Sequence, residues 1–535
     1  MQIYFDKCFE NPIEIIDAPA MMTIWDAFKR IEELSGKYYL LGYVTYDFSR
    51  VYFEAFKQFN AYKPRKVSKP FGIVTQSLIT KEEYFSKIGK IKAYISEGRT
   101  YEVNFTYPNR VLTNLEDLEL FEKLLERQRT PYNMFFKDKY GTILSFSPEL
   151  FFRLDGNRIL TKPMKGTAPR GRDEEEDLQN FEFLSTDIKN RAENIMIVDL
   201  LRNDLGRIAK TGTVKVEKLF EVERHPTVFQ MTSEISAELR PEITLADIFK
   251  SIFPCGSITG APKISTMRVI DDTEKFNRGI YCGAIGFLSP EEVVFSVPIR
   301  ILQHKNTFPQ EQFTKKSDDF ICNVGGAIVW DSTPADEWRE TLTKTAFLNT
   351  AFDLIETATD NWDKHVLRMK NSAEALNFKW NEKIEHLTVP QGKILRVVLH
   401  KNGEYEVEHK DFIPRPLAND GRYKVRFRGK VHSSDPFLYH KTTVRPATPE
   451  DIFDEIRTNE RGEVTEGTFT NVAVLKNGKI YTPPVACGLL NGVLRQKLIE
   501  AGKLEEKILY KSDFETAEKI FCLNSVRGVV EVDLC

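Results

Sequence analysis

At 535 residues the chain is too long for one hydrophobic core, so two or more domains are expected. Its 75 basic and 78 acidic residues leave a formal net charge of −3, which argues against nucleic acid or an anionic membrane face as the main partner. No apolar run reaches the roughly 18 residues of a membrane span, MQIYFDKCFENP carries no basic-then-apolar leader, and seven scattered cysteines (Cys8, Cys255, Cys282, Cys322, Cys487, Cys522, Cys535) without zinc-site spacing point to reduced thiols in a cytoplasmic protein.

Residues 1–56 read as short strands around a helix, with LLGYVTYDFSRVYF a strand, a turn, and then a helix or strand. KQFNAYKPRKVSKP is a basic, Pro-bearing loop. Tyr84, Ile88, Ile91 and Ile95 predict a helix over 81–97, and Thr80 with Glu83 resembles a capping box. Residues 101–106 alternate as a strand, and 115–127 form a second helix. TILSFSP, LFFRLDG and RILT are strands, after which a Gly/Pro-flanked turn carries Lys165. Helical periodicity runs from Asp173 to about Leu200, followed by a strand over 214–219 and a helix over 246–252. PCGSITGAPK is a loop opening a helix over 264–271. Strands follow at 279–288 and 293–303, then a polar hairpin extension to 320, the strand ICNVGGAIVW, and a helix capped near Asp331 or Ser332. The pattern breaks near Asn349–Leu354. Beyond it come a helix over 362–377 and strands over 393–428 with turns at Lys401-Asn402-Gly403 and Asn419-Asp420-Gly421. The remainder alternates strand and helix.

Lys165 lies in sequence between Glu149 and Glu193. A lysine that burial can push toward neutrality, an acid, and a carboxylate suited to a hard cation make a site for chemistry on an anionic ring. Two glycine-bearing loops expose backbone N–H groups, and a helix N-terminus favours anions. Arg300 ends an apolar strand segment and suits bidentate carboxylate binding. Glu337 and Glu340 lie one turn apart on one helix face. Taken singly, each is an ordinary surface group. Together they point to an anionic small molecule, with or without a divalent cation.

The motifs PMKGTAPRG, ENIMIVDLLRNDLGR, GSITGAPK, YCGAIGF and GGAIVWDS with EWRET resemble the chorismate-utilising enzymes over roughly residues 80–350, aminodeoxychorismate synthase component I most closely. The resemblance implies an α+β chain: residues 1–79 as the N-terminal part of the synthase component, and 80–350 as a chorismate-binding α/β sandwich of large antiparallel sheets with outer helices. Anthranilate synthase, the near relative, usually carries Ala at the position of Lys165. Carried over by position, Lys165 attacks chorismate at ring C2, and Glu149 is the general acid for the departing C4 hydroxyl. Glu193 and Glu340 hold Mg²⁺, with Glu337 supporting through water. Tyr281 and Arg300 bind the enolpyruvyl carboxylate, Thr167 sits beside the ring carboxylate, and Gly260 and Gly325 give backbone contacts. Departures from the pattern are Gln230 where many members have His, Ala327 for a glycine, and an N-terminal region too short for a complete tryptophan pocket. No glutaminase nucleophile is visible, so ammonia comes from a separate glutamine amidotransferase subunit or from free ammonium.

After residue 350, DPFLYHKTTVR, EVTEGTFTNV, LLNGVLRQ and CLNSVRGV resemble the fold-type IV pyridoxal-phosphate enzymes, a two-subdomain α/β unit over residues 353–535. The resemblance implies Lys441 as the Schiff-base lysine, Glu466 on the pyridine nitrogen, and Arg368 on the phosphate together with Gly492, Val493 and Ser525. Asn471 orients the loop near the ring, and a homodimer through the C-terminal half is expected. The fusion implies a bifunctional route to 4-aminobenzoate for folate, by synthase and then lyase. The alternative is anthranilate synthase component I joined to a D-amino-acid or branched-chain type aminotransferase.

Overall fold

The computed structural model describes residues 1–19, 21–224, 228–304, 319–415, 417–418 and 421–535. The expected hairpin extension over 305–318 and the Asn419-Asp420 turn lie outside them. The chain divides into two compact units, one of residues 1–67, 77–110 and 117–347, the other of residues 68–76, 111–116 and 348–535. None of the described helices is long and apolar enough to cross a membrane.

The first unit is a sandwich built on two large sheets. Hairpins such as Tyr39–Val44 with Val51–Phe56, and Tyr132–Asp138 with Gly141–Ser147, set the antiparallel registers. Aromatic residues close the two layers: Tyr43 donates to Asp138 Oδ2 at 2.8 Å and meets Phe136 edge-on. The helix Leu245–Ile252, started by a Thr244/Asp247 capping box, packs Phe249 on Phe152 and Phe295. The helix Lys81–Ser96 begins at the expected Thr80/Glu83 box and buries Tyr84, Ile88 and Ile91.

Four expectations are corrected here. The segment carrying Lys165 is not a turn but the strand Met164–Pro169, paired with Val228–Glu238. Its glycine makes an irregularity instead: the register shifts between Met164 and Thr167, around Gly166 at φ +86°. The single helix expected from Asp173 to Leu200 is two, Glu174–Thr186 and Ile188–Gly206. Asp187 at ψ 121° ends the first and caps the second by accepting from Asn190 N. The strand expected over 293–303 breaks between Val293–Ser296 and Ile301–His304, where Arg300 has φ +54°. Thr333 caps the helix Pro334–Lys344, because Ser332 Oγ donates instead to Glu337 Oε1 at 2.6 Å.

The second unit has two layered parts. Leu354–Ala358, Ile394–Leu399 and Tyr405–Lys410 form an antiparallel sheet. The helix Trp362–Ala375 shares a core with it through Trp362, Met369, Leu395 and Val397. Val74 and Phe437 belong to the same core. A seven-stranded mixed sheet follows, with Lys424–Lys430 parallel to Asp454–Thr458 and Asn471–Lys476 antiparallel to Lys519–Asn524.

Candidate active sites

In the first unit Lys165 is only 8 % exposed and donates to Glu102 Oε1 at 2.5 Å. Glu102 is fully buried, and its second oxygen has no hydrogen-bond partner among the described residues. Burial pushes the Lys165 ammonium toward neutrality, as expected. The carboxylates of Glu102, Glu193 and Glu149 push the other way and prevail, so its pKa is raised. Lys165 is therefore held charged, which corrects the expectation of a neutral lysine. Glu102 was not singled out from sequence. Its only signal is a charge inside an alternating strand.

Glu149 is buried between the strands Gly141–Ser147 and Leu150–Asp155. Ser257, from the Gly/Pro loop, donates to Glu149 Oε1 at 2.6 Å. Burial pushes this carboxyl up to about 7, although Ser257 and Lys165 favour its ionised form. It is thus a carboxylic acid able to give a proton near neutrality. That loop also carries Gly260, which pairs opposite Val103 beside Glu102. A Cβ on Gly260 would lie 2.0 Å from the Glu102 carbonyl, and one on Gly325 2.1 Å from the Phe105 carbonyl, so both glycines let backbones close on the strand of Glu102.

Thr167 faces Gln230 across the bulged pair and donates to its Oε1 at 3.1 Å, while Gln230 Nε2 donates to the Gly166 carbonyl at 2.7 Å. Gln230 thus fixes the Lys165 strand from both sides. The segments carrying Tyr281 and Arg300 are joined through their neighbours, as Cys282 N donates to the Pro298 carbonyl at 3.1 Å. Val297 N in turn donates to the Glu149 carbonyl at 3.0 Å. Arg300 is non-glycine backbone in the left-handed region. Burial alone lowers its pKa, and no described side chain hydrogen-bonds its guanidinium. Burial also raises the Tyr281 phenol well above its ordinary value.

The third group is acidic. Burial pushes Glu193 up to about 7, Lys165 opposing and Glu102 adding. Lys189 Nζ lies 3.9 Å from Glu193 Oε1 and 3.6 Å from Glu337 Oε1. Glu340 pairs with Lys344 at 2.6 Å, which lowers its pKa. A Cβ on Gly326 would be 3.4 Å from both Glu337 Oε2 and Glu340 Oε1, so these two carboxylates converge. Two ammonium groups sit where hard oxygen donors gather. Among the described residues, no group of three or more His, Cys, Asp or Glu is gathered closely enough to hold a metal unaided.

In the second unit burial pushes the Lys441 amine down to about 7. Arg368, Arg445 and Arg396 act in the same direction and Glu356 against it. Arg368 grips Glu356 with two hydrogen bonds, at 2.8 and 2.7 Å, and His365 Nδ1 lies 2.7 Å from the same carboxylate. Arg368 also donates to the Asn491 carbonyl at 3.3 Å. This brings it to the start of the helix Val493–Glu500, which has Gly492 at its cap and no side-chain cap bond. Glu466 Oε2 accepts from Asn471 Nδ2 and from Leu490 N, both at 3.1 Å, and Arg457 lies 3.5 Å from Oε1. Burial pushes Glu466 up to about 7 despite Arg445 and Arg457. A Cβ on Gly492 would strike Asn471 Oδ1 at 2.1 Å, so Gly492 and Asn471 interlock. Ser525 lies in the turn between Lys519–Asn524 and Gly528–Leu534, where its carbonyl accepts from Thr359 Oγ1 at 2.8 Å. Glu356, Arg445 and Arg457 were not anticipated from sequence.

A family model described as chorismate binding enzyme matches residues 11–350, and one described as amino-transferase class IV matches residues 422–535. Aminodeoxychorismate synthase component 1 of Escherichia coli (strain K12) is 39 % identical over 270 residues, 50 % of this chain and 57 % of that protein. Anthranilate synthase component 1 of Aquifex aeolicus is 35 % identical over 282 residues, 52 % of this chain and 55 % of that protein. The chain spans a little over half the length of these curated relatives. The crystal structure of anthranilate synthase component I from Streptococcus pneumoniae TIGR4 superposes with a TM-score of 0.55 at 22 % identity, covering 65 % of this chain and 92 % of that one, a likeness of fold. The sandwich and the match over residues 11–350 make the chain a member of the chorismate-binding enzyme family, joined to a fold-type IV aminotransferase-like unit.

Proposed function

We propose that the first unit aminates chorismate to 4-amino-4-deoxychorismate, with ammonia supplied by a glutamine amidotransferase subunit. The second unit then eliminates pyruvate from that product to leave 4-aminobenzoate. One observation carries this choice: a buried lysine, Lys165, shares its site with an acid, Glu149, held at about 7. A covalent amination needs both, a nucleophile for ring C2 and a proton for the C4 hydroxyl.

Lys165 attacks C2 while Glu149 protonates the C4 hydroxyl, which leaves as water. Ammonia then adds at C4 and Lys165 is released. Arg300, whose guanidinium has no hydrogen-bonded partner among the described residues, receives the enolpyruvyl carboxylate beside Tyr281. Thr167, steadied by Gln230, meets the ring carboxylate. The oxygen donors Glu193 and Glu340, with Glu337 behind them, fit Mg²⁺ completed by substrate oxygens, which would anchor the ring carboxylate.

The second site fits pyridoxal phosphate, which supplies an electron sink when bound. Arg368 and the uncapped N–H groups at Gly492 and Val493 would hold its phosphate with Ser525, and Glu466, oriented by Asn471, its ring nitrogen. Lys441, near neutral through burial, takes the proton from C4 of the amine. A dimer through this unit is part of the proposal.

Product analysis with chorismate, ammonium and Mg²⁺ tests the whole. 4-Amino-4-deoxychorismate, and 4-aminobenzoate once pyridoxal phosphate is added, are expected. Anthranilate as the main product would overturn the proposal.

A further inference from the structure

We infer that Glu102 is a positioning residue for Lys165: its carboxylate holds the ammonium in place and accepts its proton as the lysine becomes a nucleophile. The inference rests on Lys165 being the nucleophile of the first unit.

Four carboxylates from four elements act on the Lys165 ammonium through their charge, and Glu102 also touches it. Glu102 comes from the strand Glu102–Thr113, Glu149 from beside the strand Leu150–Asp155, Glu193 from the helix Ile188–Gly206 and Glu340 from the helix Pro334–Lys344. An ammonium paired at 2.5 Å with a buried carboxylate is held in its protonated form, yet attack on carbon needs the free amine. Among the described residues, Glu102 alone hydrogen-bonds it, at 2.5 Å. Glu102 is fully buried, and its second oxygen is an acceptor with no partner among the described residues. A buried carboxylate with one satisfied and one orphan oxygen is costly to the fold, so packing does not account for it. A proton moved across this pair leaves a neutral amine and a neutral acid, and no net charge has to leave a water-poor site.

The steps balance. The proton passes from Lys165 Nζ to a Glu102 oxygen. The amine lone pair forms the N–C2 bond, the ring double bonds shift, the C4–O bond breaks, and Glu149 gives its proton to the departing hydroxyl. Ammonia then forms the N–C4 bond, the double bonds shift back, and the C2–N bond breaks to return the amine of Lys165. Glu149 takes the surplus proton from the new ammonium, and Glu102 returns its own to Lys165.

The test is the pH profile of chorismate amination in the full chain, with Mg²⁺ and with free ammonia held constant. For the wild type, kcat between pH 5 and 6, below the titration of Glu149, is expected to be flat, because the proton is passed internally. Glu102→Gln should lower kcat about 10²-fold at pH 7, keep the chorismate KM within about 3-fold, and gain a slope of about tenfold per pH unit, since Lys165 must now lose its proton to water. Glu102→Asp should restore the flat profile at reduced kcat. A Glu102→Gln enzyme with wild-type kcat and profile would overturn the inference, as would an Asp variant with the steep slope. If Glu102→Gln does not fold, the Asp profile decides alone, flat in favour and steep against. Lys165→Ala separates the two claims. Its full activity would remove the nucleophile itself, whereas a dead Lys165→Ala beside a normal Glu102→Gln would remove only Glu102.

Discussion

Lys165 and Lys441 are both deeply buried, yet burial ends differently at the two. Around Lys165 the neighbours are carboxylates, and they outweigh desolvation and hold the ammonium charged. Around Lys441 the neighbours are mostly arginines, and they add to desolvation and bring the amine to about 7. Burial lowers both amines, and the sign of the surrounding charge decides whether that lowering survives. In the proposed mechanism the first lysine needs a built-in acceptor before it can attack. The second is ready to trade protons as it stands.

The sharpest way to break this comparison is to delete each lysine. Lys165→Ala is expected to lose at least ~10³-fold in chorismate amination while leaving the pyridoxal-phosphate absorbance band untouched. Lys441→Ala should lose that band and the elimination step while amination continues. If either substitution silences both reactions, the two sites do not work as separate chemistries.

Next in size is the acid. Glu149→Gln is expected to cost about 10²–10³-fold in amination. In the proposed mechanism protonated Glu149 is the active form, and its pKa is about 7, so wild-type amination should fall as pH rises through 7. The Gln variant should lose that decline. A wild-type rate that climbs steadily through pH 8 at constant free ammonia would remove Glu149 as the donor.

A direct comparison of the lysines gives a smaller effect. In cofactor-free protein at pH 7.5, trace acetylation read by peptide mass spectrometry should modify Lys441 about 10-fold or more faster than Lys165, because only the free amine reacts. Equal labelling would contradict the opposite electrostatics.

The smallest effect is on stability. Glu149 and Glu466 hold their protons more tightly folded than unfolded, at about 7 against an ordinary 4.5. Their contribution is complete below about pH 4.5 and is lost as pH rises through 7. Unliganded protein should therefore be less stable at pH 8 than at pH 6. Glu→Gln at either position should flatten that slope by on the order of 1–2 kcal/mol in urea unfolding followed over that range.

Local signals were legible where chemistry is local. The Thr80/Glu83 box, the hairpin strands up to Lys162 and the helix carrying Glu337 and Glu340 could be read from spacing alone. The motif residues Lys165, Glu149, Arg368 and Glu466 were legible as company rather than singly. What could not be read is partnership across the fold. Glu102 meets Lys165 from 63 positions away, and Glu356 meets Arg368 from a strand whose alternation gives no hint of a buried ion pair. Glycine also misled, because in a Gly/Pro context a bulge and a turn share the same residues.

The second unit does not begin where the first ends. Residues 68–76 and 111–116 belong to it. Val74 lies in its core, Ile73 N donates to Thr350 Oγ1 at 2.7 Å, and Gln76 Nε2 donates to the Ala375 carbonyl at 2.6 Å. A gene cut near codon 350 would therefore not release a freestanding second enzyme. The fragment would lack the early segment that seals its apolar interior, and it would be prone to aggregate. Separating the two activities for biotechnological use calls for inactivating one site in the intact polypeptide, not for scissors.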